Sequence, residues 1–186
     1  MSPIEKLYRL KGRDRKVPIA IMLSEVQDIE CYACVSHLPA GLLHELFPGR
    51  VTILVPRHPR AESPALSDPR GPDRLLSEDL NPGLPSIGIR IPDDAFCRGL
   101  GRAVGAIALT SANLSGHHST VAVEEFRDLW GECDAVFDGG RLDDGRSGST
   151  IIDLTVEGSF KIIRVGSGCD ELRESLQERF GLIERQ

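Results

Sequence analysis

The segment Ile87-Gly88-Ile89-Arg90-Ile91, closed by Pro92, constrains this chain most. It alternates with period two, the pattern of a β-strand with one apolar face. Arg90 shares the other face with Gly88, where its charge is either an edge ion pair or a ligand contact. Other short runs supply partners. Pro18–Leu23 reads as a buried strand, Val51–Val55 as another, and Val104–Leu109 as a small, apolar central strand leading into Thr110–Gly116. Ile151–Leu154 reads as a strand, with Phe160–Val165 its hairpin partner across Glu157-Gly158. Helical spacing marks Ala40–Leu46, Ala95–Leu100 and Val123–Trp130, and Ala135–Phe137 runs to a turn at Asp138-Gly139-Gly140. Leu172, Leu176, Phe180 and Ile183 form one apolar stripe of a terminal helix. This mixture predicts an α/β or α+β sheet packed by helices. Residues 56–79, rich in Pro, Arg, Asp and Ser without periodicity, read as a long flexible loop.

A length of 186 residues suits one domain spanning 1–186, able to bury roughly 70% of its unfolded surface. With 22 basic and 28 acidic residues the net charge is −6, which excludes a polycation that coats nucleic acid, so any anion site is local. The N-terminus is locally basic through Lys6, Arg9, Lys11, Arg13, Arg15 and Lys16. No apolar run approaches the roughly 20 residues of a membrane span, and the first residues lack the apolar core of a secretory signal. The 5 cysteines are odd in number and scattered, which suits reduced thiols in a cytoplasmic or organelle-matrix setting; an upstream transit peptide would direct the chain to the mitochondrion. Cys31-x-x-Cys34 with His37 has a zinc reading, but no second Cys/His pair of matching spacing accompanies it, and His117-His118 would contribute only through tertiary folding. Ordinary thiols near a helix are the preferred reading.

Three segments are rich in anion-binding groups: Lys11-Gly12-Arg13, Thr110 to Gly116, and Ser147 to Thr150 with Arg164 beyond. No Walker phosphate loop and no G-x-G-x-x-G opening a helix is present, so the common nucleotide-binding solutions are excluded. Hydroxyls and backbone N–H groups at a strand end, joined by converging cations, make a different anion cradle. Each residue also has a plainer reading: a solvated helix end for Lys11 and Arg13, a cap or turn for Ser111 and Asn113, a turn for Ser149 and Thr150, a water-facing side chain for Arg164. No Ser/His/Asp set or paired-carboxylate pattern emerges. The inventory suits a reaction run by positioning and charge neutralisation, such as nucleotidyl transfer, rather than by a covalent nucleophile.

Taken in order, Lys11-Gly12-Arg13 with Pro18, Pro48-Gly49-x-x-Thr52, Ile87 to Pro92, Thr110 to Ser115, Asp138-Gly139-Gly140, Gly148-Ser149-Thr150-Ile151 and Ile163-Arg164 with Gly166 resemble the YrdC-like family of threonylcarbamoyl-AMP synthases, its animal members most of all. The resemblance implies a twisted mixed sheet flanked by helices around a basic concave cavity. It implies that L-threonine, bicarbonate and ATP yield threonylcarbamoyl-AMP and pyrophosphate, with magnesium bridging the ATP phosphates. A separate complex then transfers the threonylcarbamoyl group to tRNA. By motif, Lys11 and Arg13 would be catalytic and, with Ser86, Ser111, Ser119, Ser149, Thr150 and Arg164, would bind ATP. Arg90, Leu109 and Asn113 would bind threonine. The family's Pro-Thr-x-Thr…Tyr-Gly segment, expected ahead of Lys11, is absent from this sequence, so N-terminal strands are expected to be missing. Arg50 also stands where the family has a second Pro. The alternative reading is a noncatalytic nucleotide- or RNA-binding module that keeps the basic cavity.

Overall fold

The computed structural model describes residues 1–12, 14, 17–59, 62–64, 75–114, 116–142 and 146–186. Pro3–Lys11 forms α1 because Ser2 and Glu5 cap it reciprocally. The Glu5 N–H donates to Ser2 Oγ at 3.2 Å, and the Ser2 N–H donates to Glu5 Oε2 at 3.0 Å. Gly12, at φ +56°, closes the helix in the left-handed conformation. Strands β1 (Ala20–Met22), β2 (Val51–Pro56), β3 (Ser86–Arg90), β4 (Ile107–Leu109), β5 (Thr150–Asp153), β6 (Ser159–Arg164) and β7 (Ile183–Glu184) form one sheet in the order β4-β1-β3-β2-β5-β6-β7. It is mixed: β1 with β3, β2 with β5 and β6 with β7 pair parallel, and the other neighbours pair antiparallel. Helices α2 (Leu42–Leu46), α3 (Ala95–Val104) and α4 (Cys169–Glu174) flank it.

Register assigns every strand residue to a face. Ile53 lies opposite Ile89, Val55 opposite Ile87, and Ile53 beside Ile152. All of these are fully buried, in one core with Ile21, Ile29, Leu42, Leu154 and Phe160. The other face carries Leu54 opposite Gly88 and Met22 beside Arg90. Continuing the β2–β3 register by one residue sets Thr52 opposite Arg90. A buried side chain at Asn81 ties α1 to this frame. Its Oδ1 accepts the Ile19 N–H at 2.8 Å, its Nδ2 donates to the Ile19 carbonyl at 2.7 Å, and the Tyr8 hydroxyl reaches the same Oδ1 at 3.3 Å. Asn81 thereby satisfies Ile19 as a neighbouring strand would.

Several sequence expectations are corrected. The segment from Val104 is not a central strand: α3 continues through Val104, and only Ile107–Leu109 extends, as the sheet edge beside β1. The small Gly101 lets α3 lie against Ser24, whose Cβ would stand 3.2 Å from a Cβ at that position. Val123–Glu132 is 3₁₀ helix with a break at Phe126 rather than a regular α-helix. The terminal stripe stops short of Ile183. Gly181, at φ +66°, ends the helical run, and backbone bonds from Ile183 to Gly158 and from Arg185 to Phe160 draw the chain into β7, leaving Ile183 71% exposed. Pro56, taken as the start of the loop, belongs to β2. Half of the loop 56–79, namely residues 60, 61 and 65–74, lies outside the described residues.

Ile89 touches the core from the middle of the sheet, so Ile89→Ala leaves a cavity with no neighbouring chain end to collapse into it. We expect a loss of about 2–5 kcal/mol in urea unfolding, with an unchanged dependence on denaturant.

Candidate anion-binding site

Arg164 reaches the open face through an irregularity. In the β5–β6 pair Ile152 lies opposite Ile162, but Ile151 lies opposite Arg164, so Ile163 is an extra residue. A regular ladder would turn Arg164 the same way as Ile162, toward the core; the bulge turns it to the face of Ile151 and Thr52. There its Nε and Nη2 donate to the Ser149 carbonyl at 3.1 and 2.7 Å, and Nη2 donates to Ser149 Oγ at 3.1 Å. Ser149 Oγ in turn lies 3.0 Å from Thr52 Oγ1. Two glycines make room for this fork. A Cβ at Gly148 would lie 2.9 Å from Arg164 Nη2, and one at Gly166 would lie 2.2 Å from the Gly148 carbonyl oxygen.

Arg90 projects from β3 beside this cluster. Its Nε is buried and has no hydrogen-bond partner among the described residues. Burial above all lowers its pKa. The Cys97 thiol nearby opposes that shift, while the guanidiniums of Arg164 and Arg50 reinforce it. Cys97 itself is pushed up, chiefly by burial and then by its hydrogen bond with Asp94. Arg50 precedes Val51 and therefore keeps the parity of Thr52 and Leu54. Its carbonyl accepts the Thr150 N–H at 3.2 Å, and the Gly49 N–H donates to the Ile91 carbonyl at 2.9 Å, which fixes this corner between β3 and β5. The charges of Arg164 and Arg50 thus reach Arg90 at the end of β3, a concentration of positive charge that favours an anion. Arg50 was not among the candidate site residues. Its alternation with Thr52 carried the signal, but only register shows that β3 and β5 bring Arg90 and Arg164 to it.

The remaining candidates divide between the ends of the sheet. Lys11, 3% exposed, is not a solvated helix end: its Nζ donates to the Ser111 carbonyl at 2.5 Å. Leu109 pairs with Ala20, and Met22 lies beside Arg90, so Ser111 stands beyond the opposite end of β1, roughly 15 Å from Arg90 by strand spacing. Ser86 lies toward that same end, opposite Pro56. Asn113 Nδ2 donates to the Leu114 and His117 carbonyls at 2.8 and 2.7 Å, while its Oδ1 is buried without a partner among the described residues. The Ser119 carbonyl accepts from Arg146, which is paired with Glu125. Thr150 does not reach the open face. It is fully buried, its hydroxyl donates to the Ser167 carbonyl and accepts the Gly166 N–H, and it braces the turn. Arg13, Ser115, Arg15 and Lys16 lie outside the described residues. Among those described, no group of three His, Cys, Asp or Glu side chains could hold a metal ion.

The fold and this face define an α/β domain that brings Arg50, Arg90 and Arg164 together near the end of β3. The chain belongs to the Sua5/YciO/YrdC family, whose model, described as "Telomere recombination", matches residues 1–166. A human relative named threonylcarbamoyl-AMP synthase is 42% identical over 188 residues, covering 98% of this chain and 62% of its own length. A rat relative of the same name is 42% identical over 186 residues, covering 97% of this chain and 61% of its own. The chain therefore spans about three-fifths of the length of these relatives. The crystal structure of P. abyssi Sua5 complexed with L-threonine has the same fold, with a TM-score of 0.77 at 22% identity, covering 98% of this chain and 49% of that one.

Two variants test the geometry. Gly166→Ala forces a Cβ into the backbone at Gly148, and we expect a loss of about 1–3 kcal/mol, read as a lower melting temperature. Arg50→Gln leaves the fold intact and weakens pyrophosphate binding about tenfold, measured by calorimetry.

Proposed function

We propose that this chain acts as a threonylcarbamoyl-AMP synthase, forming threonylcarbamoyl-AMP and pyrophosphate from L-threonine, bicarbonate and ATP. The observation that carries this reading is the buried Arg90 Nε, without a partner among the described residues, on an open face whose neighbouring guanidiniums belong to Arg164 and Arg50. The likeness to relatives bearing that name supports it, as does the threonine complex of the similarly folded P. abyssi protein.

In this reading Arg90 grips the threonine carboxylate, for which a planar guanidinium offers two parallel donors. The threonine amine forms a bond to the bicarbonate carbon as a C–O bond breaks and water leaves, giving a carbamate, and a carbamate oxygen attacks the α-phosphorus of ATP as the bond to pyrophosphate breaks. Negative charge gathers on the phosphoryl oxygens and the leaving pyrophosphate. Arg164 and Arg50 neutralise it, and the Ser149 and Thr52 hydroxyls orient the phosphates; Lys11, which holds the Ser111 carbonyl at the far end of β1, stands apart from this cluster. Magnesium carried on the ATP phosphates would neutralise part of their charge. A separate complex would take the product to tRNA, and a transient RNA contact near the basic N-terminus fits that transfer. Reduced cysteines suit a cytoplasmic or mitochondrial setting.

The test is formation of threonylcarbamoyl-AMP with pyrophosphate release by this chain given threonine, bicarbonate, ATP and magnesium. Product is expected, and Arg90→Gln should raise the KM for threonine tenfold or more while changing the KM for ATP far less. A folded sample that makes no product, or an equal loss for both substrates, overturns the respective assignment.

A further inference from the structure

At the other end of β2, away from Arg50, Arg90 and Arg164, a thiol and an imidazole meet. Cys34 Sγ lies 3.1 Å from His58 Nδ1, and His58 Nε2 lies 3.1 Å from the Glu30 carbonyl oxygen. A carbonyl only accepts, so Nε2 carries the ring hydrogen, and Nδ1 of the neutral ring is left with its lone pair toward the thiol. The partners are held by backbone rather than by chance side-chain contact. The Cys34 N–H donates to the Pro56 carbonyl at 2.9 Å, the His58 N–H donates to the Tyr32 carbonyl at 3.3 Å, and Ala33 pairs with Arg57 in an antiparallel bridge between them. Both side chains are half-buried, so small reagents reach the sulfur while the pair keeps its geometry. Nucleophile, base and a third group orienting the base are the elements of an activated thiol. The zinc reading of Cys31-x-x-Cys34 finds no third ligand here, since no three-residue metal cluster exists among the described residues.

We propose that Cys34 is a site of thiol–disulfide exchange with low-molecular-weight disulfides, with His58 as its base. His58 Nδ1 takes the thiol proton as Cys34 Sγ attacks one sulfur of the disulfide. The new Sγ–S bond forms while the old S–S bond breaks, and the departing thiolate takes the proton back from the imidazolium. Cys34 is oxidised to a mixed disulfide, and one half of the reagent is reduced to a thiol, so no further oxidant is needed. The other cysteines are free thiols as well, but the exposed Cys133 offers its hydrogen to the Leu129 carbonyl at 3.3 Å rather than to an imidazole.

The experiment uses the full chain, with oxidised glutathione and, separately, iodoacetamide at neutral pH, and follows each cysteine by peptide mass spectrometry. Cys34 should form the mixed disulfide, and should be alkylated, at least tenfold faster than Cys133. His58→Gln, which keeps a donor for the Glu30 carbonyl but supplies no comparable base, should bring Cys34 down to the rate of Cys133. A wild-type Cys34 no faster than Cys133 overturns the proposal, as does a folded His58→Gln chain that keeps the fast rate. If that variant melts below the assay temperature, the wild-type comparison alone decides.

Discussion

Burial of Ile53, Ile87, Ile89 and Ile152 against the helices is the constraint on which the rest of this molecule depends. Side chains alternate along a strand, so seating these isoleucines in the core leaves Thr52, Gly88, Arg90 and Ile151 no choice but the opposite face. The core therefore does more than hold the chain together. It determines that the chemistry-bearing residues of three adjacent strands emerge side by side, and a one-residue slip in any pair would exchange the two faces.

Gathering cations on that face works against stability. Arg90 is largely withdrawn from water and feels the charges of Arg164 and Arg50, and burial is the larger burden on it. Such repulsion is relieved when an anion enters, so the cluster is poised to bind negative charge more tightly than separate surface arginines would. The Ser149 carbonyl and hydroxyl hold Arg164 in place in the meantime. That arrangement fixes the position of one guanidinium before any ligand arrives and lowers the entropy cost of binding.

The same sheet keeps a second chemistry apart from the first. Cys34 and His58 meet beside Pro56, and Thr52 stands near the start of the same strand, about 13 Å away at 3.3 Å per residue, with Arg50 just ahead of it. A change at the thiol would thus lie outside the arginine cluster while sharing its central strand. The backbone bonds that seat Cys34 and His58 belong to the ladder extending β2, so both sites draw their rigidity from one element.

Much of this was legible in the sequence. Alternation through Ile87–Ile91 placed Arg90 opposite the core, the hydroxyl-rich run Ser147 to Thr150 with Arg164 beyond it stood out as a candidate anion-binding segment, and the motif order pointed to the family. What the sequence could not express was anything decided between strands. Counting by twos along β6 sends Arg164 inward, and only the bulge at Ile163 corrects it. Arg50 looked like a departure from a motif until β3 and β5 closed around it. Thr150 looked like a ligand residue, yet the pairing of Val51 with Thr150 carries its hydroxyl into the core side of the sheet. Ile183 fitted a helical stripe that Gly181 ends. Local patterns are written by neighbours in the chain, whose periodicity the sequence states outright. Which residues converge on one site is settled by register and by where strands lose it, and those depend on hydrogen bonds and packing between segments far apart in sequence.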